Sequence, residues 1–252
     1  MDRPATRRMK NLAASLLLLA LLVPALVAAP KVFLAGDSTM SDKPLDLPER
    51  GWGMALGAQF DPAVKVDNRA MNGRSTKSFI DEGRWAKLTA DLSAGDFVII
   101  QFAHNDEKKE DPKRYTDPAT SFRDNLRRFI AETRARGATP ILATPVCRRK
   151  FDREGKLVPT HGAYPDAVRA VAREENTPLL ELEQATARWL QAEGDEPSRR
   201  FFMWIAPGTH PKIPDGRKDD THFVAAGADA VAVLAAAEIR SHAPALARWL
   251  RK

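Results

Sequence analysis

The stretch Asp96–Phe102 (DFVIIQF) constrains this chain more than any other. Phe97 through Ile100 show no polar alternation, so a strand here needs cover on both faces, the condition of a parallel sheet buried between helices. Further short strands are read at Val32–Leu34, Val64–Asp67, Thr139–Thr144 and Pro178–Leu182. Helical patterns lie between them. After Asp117-Pro118, which reads as cap and first helical position, Phe122, Leu126, Phe129, Ile130 and Thr133 share one face and Gly137 closes the helix. Tyr164–Asn176, Glu183–Gln191 and the alanine-rich Val224–Arg240 read as further helices, and Gly51–Gly57 as the start of one packed closely on its neighbours. Strands alternating with helices predict one α/β domain with a five-stranded parallel sheet.

The amino terminus is set apart from that pattern. Arg3, Arg7, Arg8 and Lys10 precede an apolar stretch, Leu12–Val23, and the small residues Val27-Ala28-Ala29 follow it. This predicts a secretory signal peptide over 1–29, a mature domain over 30–252 and a secreted or periplasmic location. Residues 1–29 hold four basic residues and one acidic residue, so the formal charge of +6 falls to +3 without them. No basic helix with interleaved aromatics accompanies so mild a charge, and no nucleic-acid partner is expected. Cys147 is the single cysteine. It reads as a partly buried thiol, and neither an internal disulfide nor a cysteine-based metal site is expected.

Four polar clusters carry the chemistry. Gly36-Asp37-Ser38-Thr39 follows the first strand, where Gly36 suits a tight turn and Ser38 either caps a helix or acts as a nucleophile at a strand's carboxyl end. Asn72-Gly73-Arg74-Ser75 is a turn with a helix cap, His104-Asn105-Asp106 ends the strand DFVIIQF, and Asp219-Asp220-Thr221-His222 precedes the last helix. Acyl transfer to water needs a nucleophile, a base, a group that orients the base, and donors for the oxyanion. Ser38, His222 and Asp219 can supply the first three, with Asp220 adjacent to Asp219. The N–H groups of Ser38 and Gly73 and the Asn105 amide can supply the fourth. His104 reads as a support. Glu107–Arg114 and the stretch from Glu193 to Thr221 read as loops.

These blocks, in this order and spacing, resemble those of the SGNH (GDSL-like) hydrolases across nearly the whole mature chain. GDSTM in place of GDSL, the run Thr144–Arg149, the stretch Leu157–Pro165 and Pro207–Pro211 (PGTHP) are most similar to rhamnogalacturonan acetylesterases. The resemblance implies a flavodoxin-like three-layer sandwich. It also implies a Ser-His-Asp esterase, without metal or cofactor, that removes acetyl groups from pectic polysaccharide. It places a substrate contact at His161, where the run His161-Gly162-Ala163-Tyr164 has alanine in place of the family's acid.

Arg148, Arg149 and Lys150 follow the fourth strand and are candidates to grip galacturonate carboxylates. Two other readings stay open: an esterase of the same machinery acting on lipid or thioester acyl groups, and a non-catalytic carbohydrate-binding relative. No membrane partner is expected once the signal peptide is removed, and the sequence leaves the oligomeric state open.

Overall fold

The computed structural model describes residues 29–252, so the predicted signal segment lies outside the described residues except for Ala29. In chain order the elements are β1 (Lys31–Gly36), β2 (Glu49–Arg50), α1 (Trp52–Leu56), β3 (Lys65–Asn68), α2 (Thr76–Asp81) and α3 (Arg84–Ala90). Then come β4 (Phe97–Gln101), α4 (Ser121–Ala135), β5 (Thr139–Ala143), α5 (Tyr164–Glu174), β6 (Leu179–Leu180), α6 (Leu182–Glu193) and α7 (Asp195–Ser198). The chain closes with β7 (Phe202–Ile205), β8 (Arg217–Val224), α8 (Ala225–His242) and α9 (Pro244–Ala247).

Five strands form a parallel sheet in the order β3-β1-β4-β5-β6. Successive residues of β1 feed opposite cores. Val32 and Leu34 pack with residues of α1, α6, α8 and α9, while Phe33 and Ala35 pack with residues of α2 to α5. The three-layer sandwich implied by the resemblance is therefore present, with a core on each side of the sheet. The face of α4 holds as read: Phe122, Leu126, Phe129 and Ile130 are all buried, and each such side chain contributes about 1.5–3 kcal/mol relative to exposure. The helix itself starts three residues later than Pro118 implied. Asp117 instead closes a turn, accepting from the Ala119 N–H at 2.8 Å.

The strand order places a topological switch point between β1 and β4, because the chain leaves β1 for β3 on one side and returns to β4 on the other. Open α/β sheets bind ligands outside the carboxyl ends at such a point. Ser38 and Asn105 follow the two strands that flank it.

The stretch from Glu193 to Thr221 is not one long loop. It carries α7 and β7, and a second sheet forms with antiparallel order β2-β8-β7. Two residues of the polar loop before α1, Glu49 and Arg50, are its edge strand β2. The sequence hid this sheet because β8 (RKDDTHFV) has no apolar alternation and β2 is two residues long.

Candidate active site

Ser38 sits in a turn directly after β1, and no helix follows it, so it is not a helix cap. The turn is closed by the Met40 and Ser41 N–H groups on Asp37 O, at 3.2 and 3.0 Å. Buried Asp37 accepts from the Thr39 N–H and hydroxyl at 3.0 and 2.8 Å. Thr39 accepts in turn from Gln101, whose carbonyl accepts from Trp52 Nε1 at 2.8 Å. Gly36 is required for space and not for a turn conformation: a Cβ there would lie 2.8 Å from Gln101 O on the neighbouring strand.

The second sheet brings the other half. Met203 pairs with Asp219 and Phe202 with Phe223, so β8 bulges between those positions through Asp220, Thr221 and His222. A bulge re-aims side chains. Here the Asp219 carboxylate holds it closed, with Oδ1 accepting from the N–H groups of Thr221 and His222 at 2.8 and 3.0 Å. Its Oδ2 accepts from His222 Nδ1 at 2.8 Å. That fixes the tautomer, since a carboxylate only accepts, and leaves Nε2 free to accept from Ser38 Oγ at 2.9 Å. Burial alone would raise the Asp219 pKa, but His222 and the two N–H groups hold it well below the usual carboxylate range. The Asp219 carboxylate is thus ionised at any working pH.

Strand alternation separates Asp219 from Asp220. The Asp220 carboxylate accepts from Arg149 Nε at 2.6 Å and from Trp204 Nε1 at 2.8 Å, away from His222.

The candidate oxyanion donors lie around the turn at Gly73, which holds a left-handed φ of 75°. The backbone N–H groups of Ser38 and Gly73 have no acceptor among the described residues. The Asn105 side-chain amide donates one hydrogen to Arg74 O at 3.1 Å, and its carbonyl faces Arg114 at 3.4 Å, so one amide hydrogen stays uncommitted. Asp106 ties the same two segments together below. Its Oδ1 accepts from the Thr76 N–H at 2.9 Å, from the Thr76 hydroxyl at 2.5 Å and from the Thr116 hydroxyl at 2.8 Å. His104, buried beside Asp37 with Nδ1 3.1 Å from its carboxylate, is driven towards the neutral form by burial and acts as the expected support. Cys147 is a buried thiol whose pKa burial raises to about 11.

The substrate-contact expectations fare differently. Arg149 is 4% exposed, and its guanidinium is spent on Asp220 and Asp195, so it does not reach solvent. His161 is likewise buried, its ring nitrogens 3.0 Å from Val146 O and 3.1 Å from Glu107. It packs edge-on against His104 and supports the site from beneath. Arg148 is half-buried on Glu107, which removes Glu107 from the solvated loop predicted for it. Only Lys150 of the basic triplet is exposed.

Four charged groups escaped the sequence reading. Arg217 donates to Asp219 Oδ2 at 2.6 Å and lies 3.2 Å from Glu49. Glu49 pairs with buried Lys43 at 2.6 Å. Arg114 borders Gly73 and Asn105. Arg217 stands two residues before Asp219, the spacing of neighbours on one strand face, and reading β8 as a strand would have found it.

The chain is similar to known proteins. The model of the GDSL-like lipase/acylhydrolase family matches residues 34–230. A rhamnogalacturonan acetylesterase of Bacillus subtilis, RhgT, is 44% identical over 82% of this chain and 88% of its own length. The probable rhamnogalacturonan acetylesterase YesY of the same organism is 34% identical over 84% of this chain and 93% of its own. Among solved structures, the Bacillus subtilis protein YxiM superposes with a TM-score of 0.73 at 29% identity, covering 84% of this chain, which spans 56% of the YxiM chain. Axe2 of Geobacillus stearothermophilus shares the fold, with a TM-score of 0.59 at 19% identity over 84% of this chain and 95% of its own.

Proposed function

The chain belongs to the GDSL-like lipase/acylhydrolase family, and from that premise we propose that it is a serine esterase that removes acetyl groups from a rhamnogalacturonan-like pectic polysaccharide. The observation that carries the reading is the unbroken path Ser38 Oγ to His222 Nε2 at 2.9 Å and His222 Nδ1 to Asp219 at 2.8 Å, beside two unused N–H donors. The relatives named as rhamnogalacturonan acetylesterases support the substrate class.

Ser38 Oγ attacks the acetyl carbonyl while His222 Nε2 takes its proton, and the carbonyl oxygen gains negative charge. The N–H groups of Ser38 and Gly73 and the Asn105 amide receive that charge, fixed in place before reaction. Asp219 holds the ring and offsets the imidazolium that forms. His222 then protonates the departing sugar oxygen, and water repeats the sequence in reverse to release acetate and restore Ser38. Nucleophile, base and oxyanion donors are all side chains or backbone of this chain, so the scheme includes neither metal nor cofactor, and assays with EDTA should show unchanged turnover. Export through a cleaved segment at 1–29, to the periplasm or the medium, belongs to the same proposal and is supported by its basic and apolar pattern.

The test is acetate release from acetylated rhamnogalacturonan, from acetylated xylan and from a long-chain acyl ester. The expected result is preference for the first, lost on Ser38→Ala by about 10³-fold or more. The variant stays folded, because it removes one half-exposed hydroxyl. Turnover by Ser38→Ala within about tenfold of the parent would sink the nucleophile assignment. Preference for the long-chain ester would sink the polysaccharide.

A further inference from the structure

Lys43 is an unusual residue to find in a loop, because its ammonium is enclosed: the residue is 6% exposed. It lies between two acceptors, Glu49 at 2.6 Å and the side-chain carbonyl of Asn72. Asn72 immediately precedes Gly73, and its carbonyl also accepts from Ser41 Oγ at 2.5 Å. Glu49 is in turn 3.2 Å from Arg217, which donates at 2.6 Å to the same Asp219 oxygen that accepts from His222. Charges therefore alternate without a gap along Asp219, Arg217, Glu49 and Lys43, and the chain ends on the oxyanion turn. The members come from four places in the fold, the loop after Ser38, β2, β8 and the turn at Gly73. A surface ion pair contributes little to stability, and a buried lysine is costly unless paired. The arrangement is more than one exposed pair, and its two ends are the two halves of the site.

We propose that Lys43 is a positioning residue, which locks Asn72-Gly73 in register with the Asp219–His222 pair through Glu49 and Arg217. The proposal rests on the esterase reading for its effect on turnover, but the coupling itself exists in the resting protein. Lys43 touches no reacting atom. It sets where the Gly73 N–H stands when charge develops, and displacement of such a donor by even 1 Å can cost about 10²-fold in rate.

The test is a double-mutant cycle of Lys43→Met and Asn72→Ala, with steady-state kinetics on a small acetate ester and proton and nitrogen NMR of the unliganded protein. Lys43→Met keeps the length of the side chain and removes its donors. Each single variant is expected to lose about 10–100-fold in kcat with KM within about threefold, and the double variant no more than the worse single. In the spectra of Lys43→Met, both the Gly73 amide and the His222 Nδ1–H resonances should move, although neither residue contacts Lys43 directly. Multiplied losses in the double variant overturn the proposal, as does a change confined to KM or a fixed pair of resonances. Should Lys43→Met not fold, Glu49→Gln replaces it in the cycle and is read by the same criteria. The spectra also keep two failures distinct. If wild-type turnover survives Ser38→Ala, the esterase reading fails, and the paired resonance shifts still decide whether Lys43 couples the two halves.

Discussion

Asp219 and Asp220 are adjacent and have opposite duties, and their variants should separate cleanly. Asp219→Asn removes a carboxylate that fixes the His222 tautomer, and in a known serine triad that loss costs about 10⁴-fold in kcat. Asp220→Ala leaves His222 untouched but takes a partner from buried Arg149 and from Trp204 Nε1, so it should keep kcat and lose about 1–3 kcal/mol of stability. Kinetics and thermal melts of both variants check this, and the reverse ranking would make Asp220 the orienting group. Asp106 offers a second residue-level test. Burial raises its pKa from 3.8 to about 7, against three donors that favour the charged form. The folded state thus keeps a proton that the unfolded chain has lost. Its stabilising effect is complete below about pH 4 and fades as pH rises through about 7. Asp106→Asn retains the acceptor for Thr76 and Thr116 without a charge to bury. Its melting temperature relative to wild type should therefore climb between pH 5 and pH 8, by the equivalent of a few kcal/mol on the order of magnitude. A constant difference across that range would show that Asp106 does not titrate there.

Elements were legible in the sequence where burial alone defines them and illegible where partners do. β4 announced itself because every residue from Phe97 to Gln101 is buried, and the apolar face of α4 because period 3.6 needs no partner to be seen. β8 could not be read this way. Its first four residues are charged and most of its length is half-buried, held by pairing with β2 and β7 and by Asp219 bonding back to its own bulge. The candidate triad was still found, because its serine lies in a polar cluster after an apolar run and its histidine closes one before the last helix. The pairing of Glu49 with Arg217 was missed, because an ion pair between segments more than 160 residues apart leaves no local trace, and Lys43 was missed because only its folded partners Glu49 and Asn72 turn a charged loop residue inward. The same distinction explains Gly36, a turn glycine by sequence and a spacing glycine by structure. Gly36→Ala would set a methyl 2.8 Å from Gln101 O, between β1 and β4 at the switch point. Separating those strands should destabilise by on the order of 2 kcal/mol. Ser38 would move relative to Asn105, lowering kcat more than it raises KM, which thermal melts and kinetics on one preparation can compare.

At the scale of the whole molecule, the question is which cations a polyanionic substrate would meet. The formal charge is +6 for the whole chain and +3 without residues 1–29, and the basic triplet 148–150 was the natural candidate for a grip. Folding removes Arg149 to the interior and engages Arg148 with Glu107. The double substitution Arg148→Ala with Arg149→Ala would therefore report mainly on stability. Arg114 is better placed. Its Nε is held by Asp111 at 2.5 Å, and one terminal nitrogen lies 3.4 Å from Asn105 Oδ1 and 4.0 Å from where a Gly73 Cβ would stand. The guanidinium thus borders Gly73 and Asn105, the proposed oxyanion donors, and is about one third exposed, at 31%. A uronate carboxylate next to the acetylated sugar would meet it there, and an arginine fork suits a carboxylate. Attraction of this kind weakens with salt, the screening length falling from about 30 Å at 0.01 M to about 10 Å at 0.1 M. For wild type, KM towards acetylated rhamnogalacturonan should rise across that range while KM for a neutral acetate ester stays level. Arg114→Gln keeps a donor for Asn105 but no charge, so it should start from the higher KM on the polymer and lose most of the salt dependence. Equal salt responses on the two substrates, or an unaltered response in Arg114→Gln, would mean that the polymer is recognised through its neutral sugars and not through its charge.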